Sequence, residues 1–174
     1  MARMKELTIP FSGMKEGKYE FSALLNDSFF ESLEFSEIQK GEIKVKIELE
    51  RRTDLLNLRV SMDGTVEQVC DRCGNTYNQE ISDERNLVVN LNAESFQDED
   101  DLISLPSTYS ELDLSQYIYE YIALAIPHRK ICPDQPGCDP EVLARLKQLD
   151  SDNQKESSTN DPRWDVLKNF KENN

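Results

Sequence analysis

The residues in this 174-residue chain best suited to chemistry are its four cysteines, which fall as Cys70-x-x-Cys73 and Cys132-x5-Cys138. Two thiolates on a tight turn between strands can take adjacent corners of a tetrahedral metal site, and Gly74 after Cys73 suits the backbone of such a knuckle. The second pair brackets a Pro- and Gly-rich loop that can bend to offer two more ligands, although its spacing is wide for a zinc pair. Four cysteinates would make a closed structural zinc site with no open position for catalysis. Four unpaired thiols are the competing reading. A redox dithiol would need its Cys-x-x-Cys at a helix start in a βαβ setting, whereas both flanks here read as strands. His128, the sole histidine, is an alternative ligand, but it follows helix-ending Pro127 and reads more simply as a surface residue.

Other chemistries lack their residues. The six glycines form no phosphate-cradling loop, and any nucleophile–histidine pair would have to use His128, which has no nucleophile motif beside it. The abundant carboxylates read as a solvated face, not as a matched acid–base pair. The expectation is a chain that is not an enzyme and has no small-molecule substrate.

The elements that must position the cysteines read as strands first and helices later. Leu7, Ile9 and Phe11 alternate, as do Tyr19, Phe21 and Ala23, and Asn26 or Asp27 can cap a short helix through Phe29, Phe30 and Leu33. Ile43, Val45, Ile47 and Leu49 alternate with Lys44, Lys46, Glu48 and Glu50, the pattern of a half-buried strand. Leu56, Leu58, Val60 and Met62 repeat it after a turn at Arg51–Asp54. Asp63-Gly64 reads as a second turn, and Val66 and Val69 lead to Cys70. Tyr77, Gln79 and Ile81 return, and Leu87, Val89 and Leu91 make a further run.

Gln97–Asp101 then reads as an acidic loop and Leu102–Leu105 as a short edge strand ended by Pro106. A helix follows, with Leu114, Tyr117, Ile118, Tyr121, Ile122 and Ala125 on one stripe. Asp139-Pro140 starts another through Val142, Leu143, Leu146 and Leu149. The fold class expected is α+β: an antiparallel sheet, as a meander or partly closed barrel, with a few short helices and a tethered C-terminal helix. Residues 1–149 form one domain in this reading and 150–160 a polar linker. Residues 161–174 form a Trp-bearing helix that either docks on the core or fills a partner's groove.

Hydrophobic residues at 37% and charged residues at 31% suit a domain with solvated segments. No apolar run is long enough to span a bilayer and no signal-peptide core opens the chain, so a cytoplasmic protein without a membrane partner is expected. Of the net charge of −14, −12 lies between Ser61 and Pro127, and no Lys or Arg occurs between Arg85 and Arg129. Such a surface repels phosphate and attracts basic partners, or simply keeps the protein soluble. Direct RNA contact would have to use Lys40, Lys44, Lys46, Arg51, Arg52, Arg59 and Arg72.

Three motifs carry a resemblance. Gly64-Thr65-Val66 followed by Val69-Cys70-Asp71-Arg72-Cys73 resembles the central signature of the bacterial large ribosomal RNA subunit accumulation protein family, the YceD-like proteins. Ala123-Leu124-Ala125-Ile126-Pro127 and Asp161-Pro162-Arg163-Trp164-Asp165-Val166-Leu167 resemble two later segments of that family, in the family's order. The likeness spans roughly Val45 to Phe170. It implies an accessory role in synthesis, processing or stability of the large-subunit rRNA; the acidic charge map adds the expectation of a pre-ribosomal particle or basic ribosomal protein as partner. Beside it stand two alternatives: a zinc-knuckle RNA-binding protein, and a generic zinc-stabilised interaction module.

Overall fold

Period-two alternation of apolar residues dictates most of this fold, because a strand with one apolar face must lay that face on a core. The computed structural model describes residues 5–99, 101–133 and 138–156. After a 3-10 turn at Lys5–Leu7 come β1 (Thr8–Ile9), β2 (Gly17–Leu25), α1 (Asp27–Glu31), β3 (Gly41–Arg51), β4 (Leu55–Val69) and β5 (Thr76–Ala93). Then follow β6 (Gln97–Glu99), β7 (Leu102–Pro106), β8 (Leu112–Asp113), α2 (Ser115–Ala125) and α3 (Pro140–Glu156). The Trp-bearing segment expected at 161–174 lies outside the described residues, and α3 runs through Glu156, into the stretch expected as linker.

The six-stranded sheet has the order β2-β3-β4-β5-β7-β6, so β2 and β6 are separate edges and the sheet is open, an α+β arrangement and not a closed barrel. Antiparallel pairing carries β2 through β5, and β5 pairs with β7 in parallel. The chain leaves β5, runs back along β6, and inserts β7 into the gap. Leu102–Leu105 is therefore an inner strand, with Ile103, Ser104 and Leu105 all buried, while the acidic residues expected as a loop supply the edge, β6. A separate β1–β8 pair ties the N-terminus to the start of α2.

One sheet face meets the core. Ile43, Val45, Ile47, Leu49, Leu56, Leu58, Val60 and Met62 pack with Phe29 and Phe30 of α1, Ile118 and Ile122 of α2, and Leu7 and Ile9 from the N-terminus. Each such side chain contributes about 2 kcal/mol by leaving water. On the opposite face Lys46 bridges Glu20 and Glu48, and Arg59 bridges Glu84. No helix among the described residues is long and apolar enough to cross a membrane.

Two expected turns are absent. Asp63 and Gly64 lie inside β4, in register with Lys44 and Ile43. The glycine is there for close approach of strands: a Cβ at Gly64 would stand 2.0 Å from the Glu42 carbonyl oxygen. The two runs expected around Ile81 and Leu87 are one strand of 18 residues, β5, whose apolar alternation is interrupted by the Asp83–Arg85 ion pair at 2.8 Å. Gly64→Ala should accordingly destabilise the protein by about 3 kcal/mol in urea unfolding, since backbone must move to admit the methyl group. Gly13→Ala, with nothing within 4 Å of the added carbon, should leave the midpoint almost unchanged.

Candidate metal centre at the hairpin tip

The β4–β5 hairpin is longer than the core that supports it. Cys70 to Asn75 form its tip, where the Cys70 amide donates to the Asn75 carbonyl at 2.9 Å and the Gly74 amide to the Cys70 carbonyl at 2.9 Å. Gly74 adopts φ +77°, left-handed backbone that a side chain would strain. This turn aims both sulfurs of the knuckle to one side.

Against that side lies the segment between α2 and α3. Asp71 clasps Lys130 twice: its amide donates to the Lys130 carbonyl at 2.7 Å, and its carboxylate accepts from the Lys130 amide at 2.8 Å. The Arg72 guanidinium donates to the Cys132 carbonyl at 3.2 Å. Cys132 is thereby carried onto the knuckle, and its sulfur lies 3.6 Å from that of Cys73. This is too far for a disulfide bond and close to the roughly 3.8 Å edge of a tetrahedron of sulfurs around one ion. The sulfurs of Cys70, Cys73 and Cys132 all lie within 4.8 Å of one another, near enough to share a metal ion.

Cys138 lies outside this close group of three, but it is buried in the same cluster as Cys70 and Cys132. Cys73, Tyr77, Ile131 and Leu143 pack around the three buried cysteines, so α3 is fastened here through its first turns. Of the four cysteines singled out by spacing, Cys70, Cys73 and Cys132 come within metal-sharing distance, and Cys138 is buried in the same cluster. His128 instead borders a neighbouring groove with Val69, Thr76 and Tyr119.

The electrostatics divide the four thiols. Burial works to raise Cys70, but hydrogen bonds outweigh it: the Cys132 and Arg72 amides donate to its sulfur at 3.3 and 3.4 Å, and the group is pulled down to about 6. Cys73 is lowered mainly by the Asn75 backbone. Burial pushes Cys132 and Cys138 up, with the other thiols adding to the effect at Cys132. Cys70 and Cys73 therefore release their protons more readily than Cys132 and Cys138, and a bound cation would favour the thiolate form of all of them.

Spacing located the cysteines but not what holds them. The Asp71–Lys130 clasp, the Arg72 contact and the amide donors to Cys70 rest on backbone groups whose positions no residue pattern reports. Asp71→Ala should cost about 1–2 kcal/mol locally, read as faster hydrogen exchange at the Lys130 amide, and Asp71→Asn, which keeps an acceptor, should restore most of the protection.

A family model described as large ribosomal RNA subunit accumulation protein YceD matches residues 58–171, from within β4 through the hairpin tip, α2 and α3. Comparison with curated proteins and with solved structures returned no match. The matched region contains all four cysteines and most of the chain; the protein belongs to the large ribosomal RNA subunit accumulation protein YceD family, and its role lies in accumulation of the large-subunit rRNA.

Proposed function

We propose that this protein is a non-catalytic, cytoplasmic accessory factor in large ribosomal subunit biogenesis. It supports synthesis, processing or stability of the large-subunit rRNA by presenting an acidic surface to a basic protein of the pre-ribosomal particle. The observation that carries this reading is the charge map: residues 93–127 hold eight acidic and no basic side chains. That segment builds β6, β7, β8 and α2, which lie together at one end of the sheet and over it. Phosphate backbone is repelled by such a field and a cationic protein is drawn to it.

The basic side chains that direct RNA binding would need are largely committed elsewhere. Lys40 pairs with Glu67, Lys46 with Glu20 and Glu48, Arg52 with Glu50, and Arg59 with Glu84. Arg51 donates to the Met14 carbonyl and Arg72 to that of Cys132. This pattern favours the protein partner over the RNA.

The hairpin tip, in this account, holds one structural zinc ion through Cys70, Cys73, Cys132 and Cys138. Soft thiolates suit zinc, and four of them leave no open coordination position, which supports a structural and not a catalytic role. What the ion supplies when bound is a fixed link between the hairpin and α3. The residues do the rest: Asp71 and Arg72 hold the second segment in place, and backbone amides keep Cys70 ready as a ligand.

The test is depletion of the protein from growing cells, with measurement of the ratio of large- to small-subunit rRNA. The ratio should fall selectively, and recover with the wild-type chain but not with the Cys70→Ser, Cys73→Ser double variant. An unchanged ratio on depletion would contradict the reading. A variant with Asp98, Glu99 and Asp101 changed to Lys should leave the particle at lower salt than wild type; equal retention at low salt would remove the acidic contact.

A further inference from the structure

Next to β6 the surface carries an aromatic pair that the core does not use. Phe96 and Tyr109 stack on one another with ring centroids 6.3 Å apart and planes at 25°. Both stay about half exposed, at 50% and 47%. They border a groove of about 520 Å³ whose walls include Glu111, Asp113 and Tyr117. Tyr117 in turn donates from its hydroxyl to the Asp98 carboxylate on β6 at 2.8 Å. Burial and that hydrogen bond hold the Tyr117 phenol far above its ordinary range, so it stays a neutral donor to the Asp98 carboxylate.

Two independent features here favour the same ligand. An exposed ring face attracts a cation placed within about 6 Å, and a guanidinium, being planar and weakly hydrated, stacks best. The surrounding segment, 93–127, contains eight acidic and no basic side chains and adds negative potential. Such rings also stack nucleic-acid bases, but a groove set in this field repels the phosphates that accompany them. β6 adds a third element, being an edge strand with all three residues exposed, along which an extended chain can lie.

We infer that the Phe96–Tyr109 groove is the docking point for an extended, arginine-bearing segment of a basic protein, with arginine stacked on the aromatic pair and neighbouring cations facing the β6 carboxylates. This rests on the reading of the acidic surface as a protein-binding face and assigns its specific contact.

The test is titration of the isotope-labelled full chain, followed by amide chemical shifts, with a synthetic peptide of about a dozen Arg, Gly and Ser residues. The control peptide carries uncharged citrulline at each arginine. The amides of Phe96, Asp98 and Tyr109 should move with the first peptide and stay with the second. Replacing both rings by leucine, which keeps apolar bulk without the ring face, should weaken binding about fivefold while the amides of the cysteine cluster keep their positions.

If the Asp98, Glu99 and Asp101 to Lys variant loses the peptide but the leucine variant binds like wild type, the acidic surface stands and the groove assignment falls. If neither variant changes binding, both fall. Movement of the same amides by oligouridine, or on concentrating the protein alone, would overturn the inference in favour of RNA or of a second copy.

Discussion

The rest of this structure depends on a mismatch between a long hairpin and a shorter core. β4 and β5 pair continuously from Leu55 and Asn90 to Val69 and Thr76, yet on this hairpin the main apolar cluster reaches outward only to Val66 and Ile81. The tip beyond needs its own anchor, because an unsupported ribbon with both faces in water is marginal. That anchor is the cysteine cluster with its clasps to residues 130–132. It is small: besides the cysteines, only Tyr77, Ile131 and Leu143 pack there among the described residues. So few apolar contacts give little hold on α3 unless a metal links the sulfurs, the logic by which small domains use metal in place of core.

The same economy governs the charges. Where the sheet faces water, opposite charges meet across strands, as Lys46 meets Glu20 and Glu48, and each exposed pair is worth little in stability. Their effect is to level the potential of that face. Beyond β5 the sequence has no Lys or Arg until Arg129, so the charges paired across the sheet face contrast with a strongly acidic stretch at residues 94–128. In the proposed role, that polarity would orient a cationic partner before any contact forms.

Much of this was legible because strands with one buried face announce themselves. The alternation at Ile43–Leu49 and Leu56–Met62, the Arg51–Asp54 turn, and the helices after Asn26, Asp113 and Asp139 all stand where periodicity places them. The errors have physical causes. Asp-Gly usually marks a turn, but here Gly64 serves a close approach to Glu42 within a continuous strand. Ser82 to Arg85 break the apolar rhythm of β5 without breaking its pairing, because Asp83 and Arg85 satisfy each other on the core side. β6 is stabilised by pairing with β7, a tertiary contact that the polar sequence Gln97–Glu99 does not signal. At the hairpin tip, spacing brought out the four thiols, while the clasps beside them end on backbone groups of Lys130 and Cys132.

The central claim is that Cys70, Cys73, Cys132 and Cys138 bind one ion and thereby fasten α3 to the hairpin. The most direct measurement is metal content together with X-ray absorption at the zinc edge, on the full chain purified without chelator. The account predicts one zinc per chain with four sulfur neighbours at about 2.3 Å and no nitrogen or oxygen ligand. A chain that carries no metal, with all four thiols open to titration in the folded protein, would contradict it.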